Sequence, residues 1–200
     1  MNEQSLSVRD AIVNRRSIKN FNGQPVDLEN INEILDDARW APNHGLRNPW
    51  RFVVAANKEY IKFQEVLKEY GVPKWKDLSE EELEKKMKTF RAPGAVVFVI
   101  VKEDVRQKER LEDYAAASML IQNAMLLAWD KGIGSCWKTP VFLDNPKFRE
   151  ELGVKHGERI ISMLQFGYYD DYPKNRTRTP LEDIVTYYGR EEEATEVGEE

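Results

Sequence analysis

The segment "ERLEDYAAASMLIQNAMLLAWDKG", Glu109 to Gly132, limits what this chain can fold into more than any other. It is the longest helical pattern in the sequence, and from Ala115 to Trp129 it is apolar nearly all the way round. A helix with one apolar stripe lies on a surface, whereas one that is apolar on most faces is buried on most faces. In a chain of 200 residues such a helix is central, or it is covered by a second subunit as well. Gly132 is its natural C-terminal cap.

The strands that surround such a helix are legible by composition. "AVVFVIVK", Ala95–Lys102, is β-branched and apolar throughout and reads as a central strand. "RIISMLQFGY" is a second clear strand, "WRFVVAA" reads as a buried strand, and "IGSCWK" as a brief one. Helices are expected from Val8 to Arg15 with Ser5 or Ser7 as cap, and from Leu28 to Trp40 behind Asp27. Asn57 is expected to cap "KEYIKFQEVLKEYG", and Ser79 with Glu82 forms a capping-box pattern. A short helix is expected over Asp144 to Leu152. "DDYPKNRTRTPLEDIVTYY" reads as an ordered arm whose apolar residues need a surface, and 189–200 as an acidic, disordered tail. With no repeat and no linker, 1–188 is a single mixed α/β domain of four or five strands. The long apolar helix and the arm both favour an intimate homodimer.

Composition closes off several classes of function. A net charge of −5 argues against sequence-independent nucleic-acid binding, though not against a local basic pocket. One cysteine, Cys136, allows no internal disulfide and suits a reducing cytoplasm. No apolar run is long enough to span a bilayer, and the N-terminus lacks a signal-peptide core, so a soluble cytoplasmic protein is expected.

The chemistry-bearing motifs are then few. His44 and His156 are the only histidines, so no Cys/His metal cluster forms. "GIGSCW" has Trp137 where a dinucleotide fingerprint needs glycine, and it follows a helix rather than a strand. Cys136 sits in a short apolar segment and reads as a small buried hydrophobe. "NRRSIKNF" puts Arg15, Arg16, Ser17 and Lys19 at a helix end. They either complement the helix dipole or cradle an anion, since two forked guanidiniums and a hydroxyl suit phosphate. "APNHGLRNPW" carries Asn43, His44 and Asn48, whose mixed donors and acceptors match either local backbone or a heterocycle edge. Arg176 and Arg178 in "RTRTP" form a solvated patch or a second anion contact. Trp137, Lys138 and Thr139 lie just past a strand, where ligands of α/β proteins gather. Together these residues make an aromatic, amide-rich, phosphate-binding pocket without an obvious protein acid or base, which points to a cofactor that does the chemistry itself.

In this order, "RRSIKNF", "APNHGLRNPWRFVV", "GIGSCWK", "RIISMLQFGY" and "RTPLEDIV" resemble the nitroreductase family of FMN-dependent oxidoreductases, from about Ser7 to Tyr188. Leu46 and Asn48 depart from the commonest loop pattern, and the chain looks more like the small YdjA-like branch. The resemblance implies an α+β three-layer fold, a central mixed sheet flanked by helices, and an intertwined homodimer with FMN at the interface. It implies FMN contacts at Arg15, Arg16, Ser17, Asn43, His44, Asn48, Trp137, Lys138, Thr139, Arg176 and Arg178. It also suggests a nicotinamide region over Leu127, Ala128, Trp129, Asp130, Lys131 and Gly132. The implied reaction is ping-pong transfer of reducing equivalents from NADH or NADPH, through FMN, to a nitroaromatic, quinone or similar acceptor. A flavin-binding module with little turnover, and a relative that destroys flavin or dehalogenates, are the alternatives. Arg47 has no assigned role.

Overall fold

The strand "AVVFVIVK" does what its composition demands. In the computed structural model, which describes residues 6–174 and 177–189, it forms β2 (Ala95–Lys102), buried everywhere but at Lys102. β1 (Trp50–Ala56) pairs along one side of it and β4 (Glu158–Gly167) along the other. β3 (Gly134–Lys138) lies outside β4, which gives the order β1-β2-β4-β3. All three pairings are antiparallel. The expected mixed sheet is therefore antiparallel through its four strands. One parallel pairing, the isolated bridge between Ser17 and Ser135, decorates the open edge of β3. The "WRFVVAA" strand, expected to be buried, is the other edge and is fully buried only at Ala55 and Ala56. Composition marks a strand as apolar but does not say which of its edges is paired.

Helices cover both faces of the sheet, the expected three layers. On one face Val97 and Val99 pack against α2 (Leu28–Ala38) and α5 (Gln107–Asp130), with Ile31, Ile34, Leu120, Ile121 and Ala124 in one core. On the other, Phe98 and Ile100 meet α3 (Asn57–Gly71), α4 (Glu80–Arg91) and α6 (Pro146–Glu151). There Phe148 stands edge-on to Phe98 at 5.7 Å and to Phe142 at 4.9 Å. α5 is held at its end by a paired C-cap. The Gly132 N–H donates to Trp129 O at 3.0 Å and the Ile133 N–H to Ala128 O at 2.8 Å, with Gly132 at φ +70°.

Cap chemistry follows expectation at some helices and departs at others. Ser7 caps α1 (Val8–Asn14) by accepting from the Asp10 N–H, and Ser79 with Glu82 completes the capping box of α4. Asp27 holds the cap position of α2 without a side-chain bond. Asn57 is the first residue of α3 rather than its cap. The helix expected from Asp144 begins at Pro146, capped by Asn145, because proline suits the first helical position. Ser5 and the tail from 190 onward lie outside the described residues.

Candidate functional site

At its open edge β3 carries a cationic cleft of about 530 Å³. Arg15 and Arg16 follow α1. Arg15 takes φ −55° and ψ 136°, which ends the helix and sends the chain out as an extended strand. That strand is pinned by the Ser17–Ser135 bridge and by the Ile18 N–H donating to Ser135 O at 3.0 Å. The approach is close: a Cβ at Gly134 would lie 2.7 Å from Ile18 Cγ1 and 2.8 Å from Tyr169 Cδ1. Here glycine is required by space, not by turn geometry.

The far wall of the cleft is the arm that follows β4. Tyr169 stacks on Trp129 at the end of α5, with centroids 5.9 Å apart, and Tyr172 stands edge-on to Trp129 at 5.4 Å. These contacts fold the arm back so that Tyr172, Lys174 and Arg178 face Arg15 and Arg16 across the cleft. Arg176, the other arginine of the expected pair, lies outside the described residues.

Electrostatically this cleft is dominated by cations: Arg15, Arg16, Lys19, Lys174 and Arg178 outnumber the one lining carboxylate, Asp171. Burial, then the charges of Arg16 and Arg178, push the Arg15 guanidinium below its usual range. Nε and Nη1 of Arg15 are buried and have no hydrogen-bond partner. A buried charge without a partner is costly, and an anion entering between the guanidiniums would relieve it. Arg16 Nη1 donates to Val13 O at 2.8 Å and to Arg15 O at 2.9 Å, so it satisfies carbonyls at the end of α1, in keeping with the helix-end reading of this arginine pair. Lys138 is lowered by burial and by Lys19, and no carboxylate pairs with it among the described residues. Cys136 is buried, and desolvation raises its thiol, as expected of a small core residue.

Trp137, Lys138 and Thr139 are not among the residues that line this cleft. Alternate residues of a strand face opposite sides, and Trp137 and Thr139 line a second cleft of about 390 Å³ with Tyr114, Ser118 and Arg159. Asn43, His44 and Asn48 lie elsewhere again. Their loop turns through positive φ at Gly45, Leu46 and Asn48. It closes on itself where the Asn48 N–H donates to Asn43 Oδ1 at 2.9 Å. Arg47 then ties the loop to Glu112 and Asp113 near the start of α5. The cationic cleft sits at the other end, beside Trp129. At 1.5 Å per residue, Asp113 and Asp130 are roughly 25 Å apart along the helix. One copy of the chain therefore does not bring the His44 loop to the cleft.

The residues from Leu127 to Gly132 are engaged in structure. Leu127 packs against the core, Ala128 is buried, and Trp129 carries the arm. Asp130 accepts from the Leu6 N–H at 2.7 Å, Lys131 pairs with Glu33 at 2.7 Å, and Gly132 closes the helix. Sequence reasoning missed Tyr172 and Lys174 as cleft residues. The aromatic pair Tyr169 and Tyr172 just past a strand is the signal that marks where the arm docks.

Among the described residues no group of His, Cys, Asp and Glu could hold a metal ion, and no helix is long and apolar enough to cross a membrane. Fold and cleft define an α+β protein with a cationic cleft at the edge of an antiparallel sheet. The chain belongs to the nitroreductase family, which it matches over residues 12–168. It is 36% identical over 181 residues to "Putative NAD(P)H nitroreductase YfhC" of Bacillus subtilis (strain 168), an alignment that covers 90% of this chain and 93% of that protein. A crystal structure of a nitroreductase-like family protein from Bacillus cereus superposes with a TM-score of 0.81 at 33% identity, over 95% of this chain and all (100%) of the other. The FMN and NADPH-dependent nitroreductase NfnB of Sphigopyxis sp. strain HMH shares the fold, with a TM-score of 0.73 at 19% identity, over 92% of this chain and 100% of that one.

Proposed function

We propose that this chain is an FMN-dependent NAD(P)H oxidoreductase that works as a homodimer. The observation that carries the reading is Arg15: a half-buried guanidinium with two unpartnered nitrogens, faced by Arg16 and Arg178. That donor set fits the phosphate monoester of FMN, which is dianionic near neutral pH and takes forked donors. Ser17 adds a hydroxyl on the same wall. When bound, FMN supplies the redox chemistry, taking hydride from NADH or NADPH and giving reducing equivalents to a nitroaromatic, quinone or similar electrophilic acceptor in ping-pong order.

The residues of this chain bind, orient and tune. The cationic cleft anchors the phosphate end. Lys138 lies half-buried further along β3, where its unpaired charge favours an anionic flavin ring edge. Trp137 and Thr139 border the other face of the same strand end. His44, Asn43 and Asn48 are supplied to this flavin by the second copy, because α5 separates them from the cleft of their own copy by more than a flavin can span. Apolar side chains left open on one copy support that pairing. Val8, Ile12 and Val13 of α1, Met119 of α5, and Leu181 and Ile184 of the arm are all exposed. Leu127–Gly132 at the end of α5 is the proposed approach for the nicotinamide cofactor.

An absorption spectrum of the purified protein, before and after anaerobic NADH or NADPH, tests the reading. Flavin bands bleached by either nucleotide are expected. A colourless protein that takes up no FMN would sink it. A yellow protein that neither nucleotide bleaches would instead favour a flavin-binding module with little turnover.

A further inference from the structure

Arg47 has no part in the cofactor contacts proposed so far, yet it is among the most heavily engaged side chains of the molecule. Its Nε donates to Asp113 Oδ1 at 2.9 Å, and its Nη2 to Glu112 Oε2 at 3.0 Å and to the Glu109 carbonyl at 3.4 Å. Asp113 is 5% exposed, the only buried carboxylate among the described residues, and it interrupts the apolar face of α5. The guanidinium therefore neutralises a charge that the helix could not bury alone. It does so from inside a loop of unusual backbone. Gly45, Leu46 and Asn48 have φ of +63°, +51° and +46°. A leucine in the left-handed region is disfavoured and persists only when its surroundings hold it there. The Asn43–Asn48 bonds close the loop on itself, but Arg47 supplies its ion pairs to the body of the protein.

We infer that Arg47 is a positioning residue: its fork onto Glu112 and Asp113 holds loop 43–48 in the strained form that presents His44 and Asn48 to the flavin ring of the neighbouring copy. The role rests on the FMN-dimer reading above. It requires a planar fork on two carboxylates from two adjacent helix residues, so lysine does not replace it. It acts on the ring end of the flavin and leaves the phosphate end alone.

That asymmetry supplies the test. FMN and riboflavin, which differ by the phosphate, are titrated into apoprotein of the full-length wild type, Arg47→Met and Arg47→Lys, and each variant is melted. Both substitutions are expected to weaken FMN and riboflavin by the same factor, roughly tenfold or more, the scale seen when the support of a ligand-holding side chain is removed. The FMN-to-riboflavin affinity ratio stays at its wild-type value, and the absorption bands of bound flavin shift. Arg51→Met is the control. Arg51 forks on the single carboxylate of Glu158 rather than on the start of α5, so its loss costs stability and leaves both affinities unchanged. Should Arg47→Met fail to fold because Asp113 is left unpaired, the double variant Arg47→Met/Asp113→Asn removes that charge and carries the same expectation.

A lowered melting temperature with unchanged flavin affinities would make Arg47 a purely structural clamp and overturn the inference. A loss confined to FMN would place Arg47 with the phosphate and overturn it equally. Wild-type protein that binds neither flavin overturns the cofactor reading, and this role with it. A flavin-binding wild type whose Arg47 variants bind equally well overturns this role alone.

Discussion

Arg15 and Arg51 are both half-buried arginines, in a chain with five more acidic than basic side chains, and they are treated in opposite ways. Arg51 forks on Glu158, Nε to Oε1 at 2.8 Å and Nη2 to Oε2 at 2.6 Å, and it also donates to the Gly153 carbonyl. Glu158 raises the Arg51 guanidinium, and Arg51 in turn holds the Glu158 carboxyl down at about 2. Arg15 faces Arg16 and Arg178, which lower it. Asp171 lines the same cleft, yet no carboxylate forms an ion pair with Arg15 among the described residues. A chain with surplus acid has the means to neutralise every buried arginine. Where it gathers cations instead, as around Arg15, the proposed reason is an anionic ligand. On that proposal a paired arginine belongs to the fold, and an unpaired one among its own kind belongs to the site.

The largest expected effect breaks the site half of this contrast. Arg15→Ala should weaken FMN binding by roughly 1.5–3 kcal/mol, the scale of a charge-assisted hydrogen bond, or on the order of 10- to 100-fold in Kd. Riboflavin affinity and the melting temperature should hold, since the substitution removes a repelled charge and breaks no protein ion pair. Arg16→Ala is expected on the same scale, with some stability lost because its guanidinium also closes α1. Parallel FMN and riboflavin titrations decide the matter, and an equal loss for both flavins would remove Arg15 from the phosphate site.

Next comes the fold half. At neutral pH, Arg51→Met should cost about 1–2 kcal/mol of stability once solvent screening of the pair is allowed for. The sign is set by Glu158, whose carboxyl is depressed from 4.5 to about 2 in the folded chain. Stability from such a group is present above the unfolded value and lost as pH falls through the folded one. The gap between wild type and variant should therefore be full above about pH 5 and close as pH approaches 2. Urea midpoints across that range measure it. A gap that persists at the acid end would assign the cost to lost packing of the arginine stem.

How much of this was legible beforehand depended on whether the cause was local. β2, α5 and β4 could be read because an unbroken apolar run, or an apolar helix, has few other solutions. The capping box at Ser79 and the glycine closing α5 were legible for the same reason: both partners lie within a turn of each other. Boundaries set by position in space were not. "WRFVVAA" has the composition of a core strand and lies at an edge because of what pairs beside it. In the site, the cationic motif was visible as Arg15, Arg16 and Ser17; its helix-closing reading is met by the bonds of Arg16, and its anion-gripping reading is the one proposed for FMN. Arg47 could not be assigned, since Glu112 and Asp113 lie more than sixty positions away and Asp113 looks like one polar residue at the start of an apolar helix. The separation of the His44 loop from the cleft was equally hidden. Motif order along a chain places residues in a list, and the length of α5 decides that two members of that list do not meet within one copy.

The smallest expected effect tests whether pairing alone is the criterion. Arg39 donates to Asp36 at 2.7 Å, as short as the contacts of Arg51, but both partners are more than half exposed, 53% and 65%. Water already solvates each charge, and the pair must order two mobile side chains, so exposed pairs of this kind contribute little. Arg39→Ala should leave the melting temperature within the error of the scan and both flavin affinities unchanged. Distance would then be the wrong measure of an ion pair, and burial the right one. A clear loss would mean that the end of α2 is covered in the working protein. Arg39 lies 6.0 Å from the ring of Trp40, a tryptophan that one copy leaves 79% exposed. If that loss grew weaker as the protein was concentrated, the second copy would be the cover. Arg39 would then move to the paired, structural side of the contrast, while the unpaired charge of Arg15 would keep its place at the cofactor.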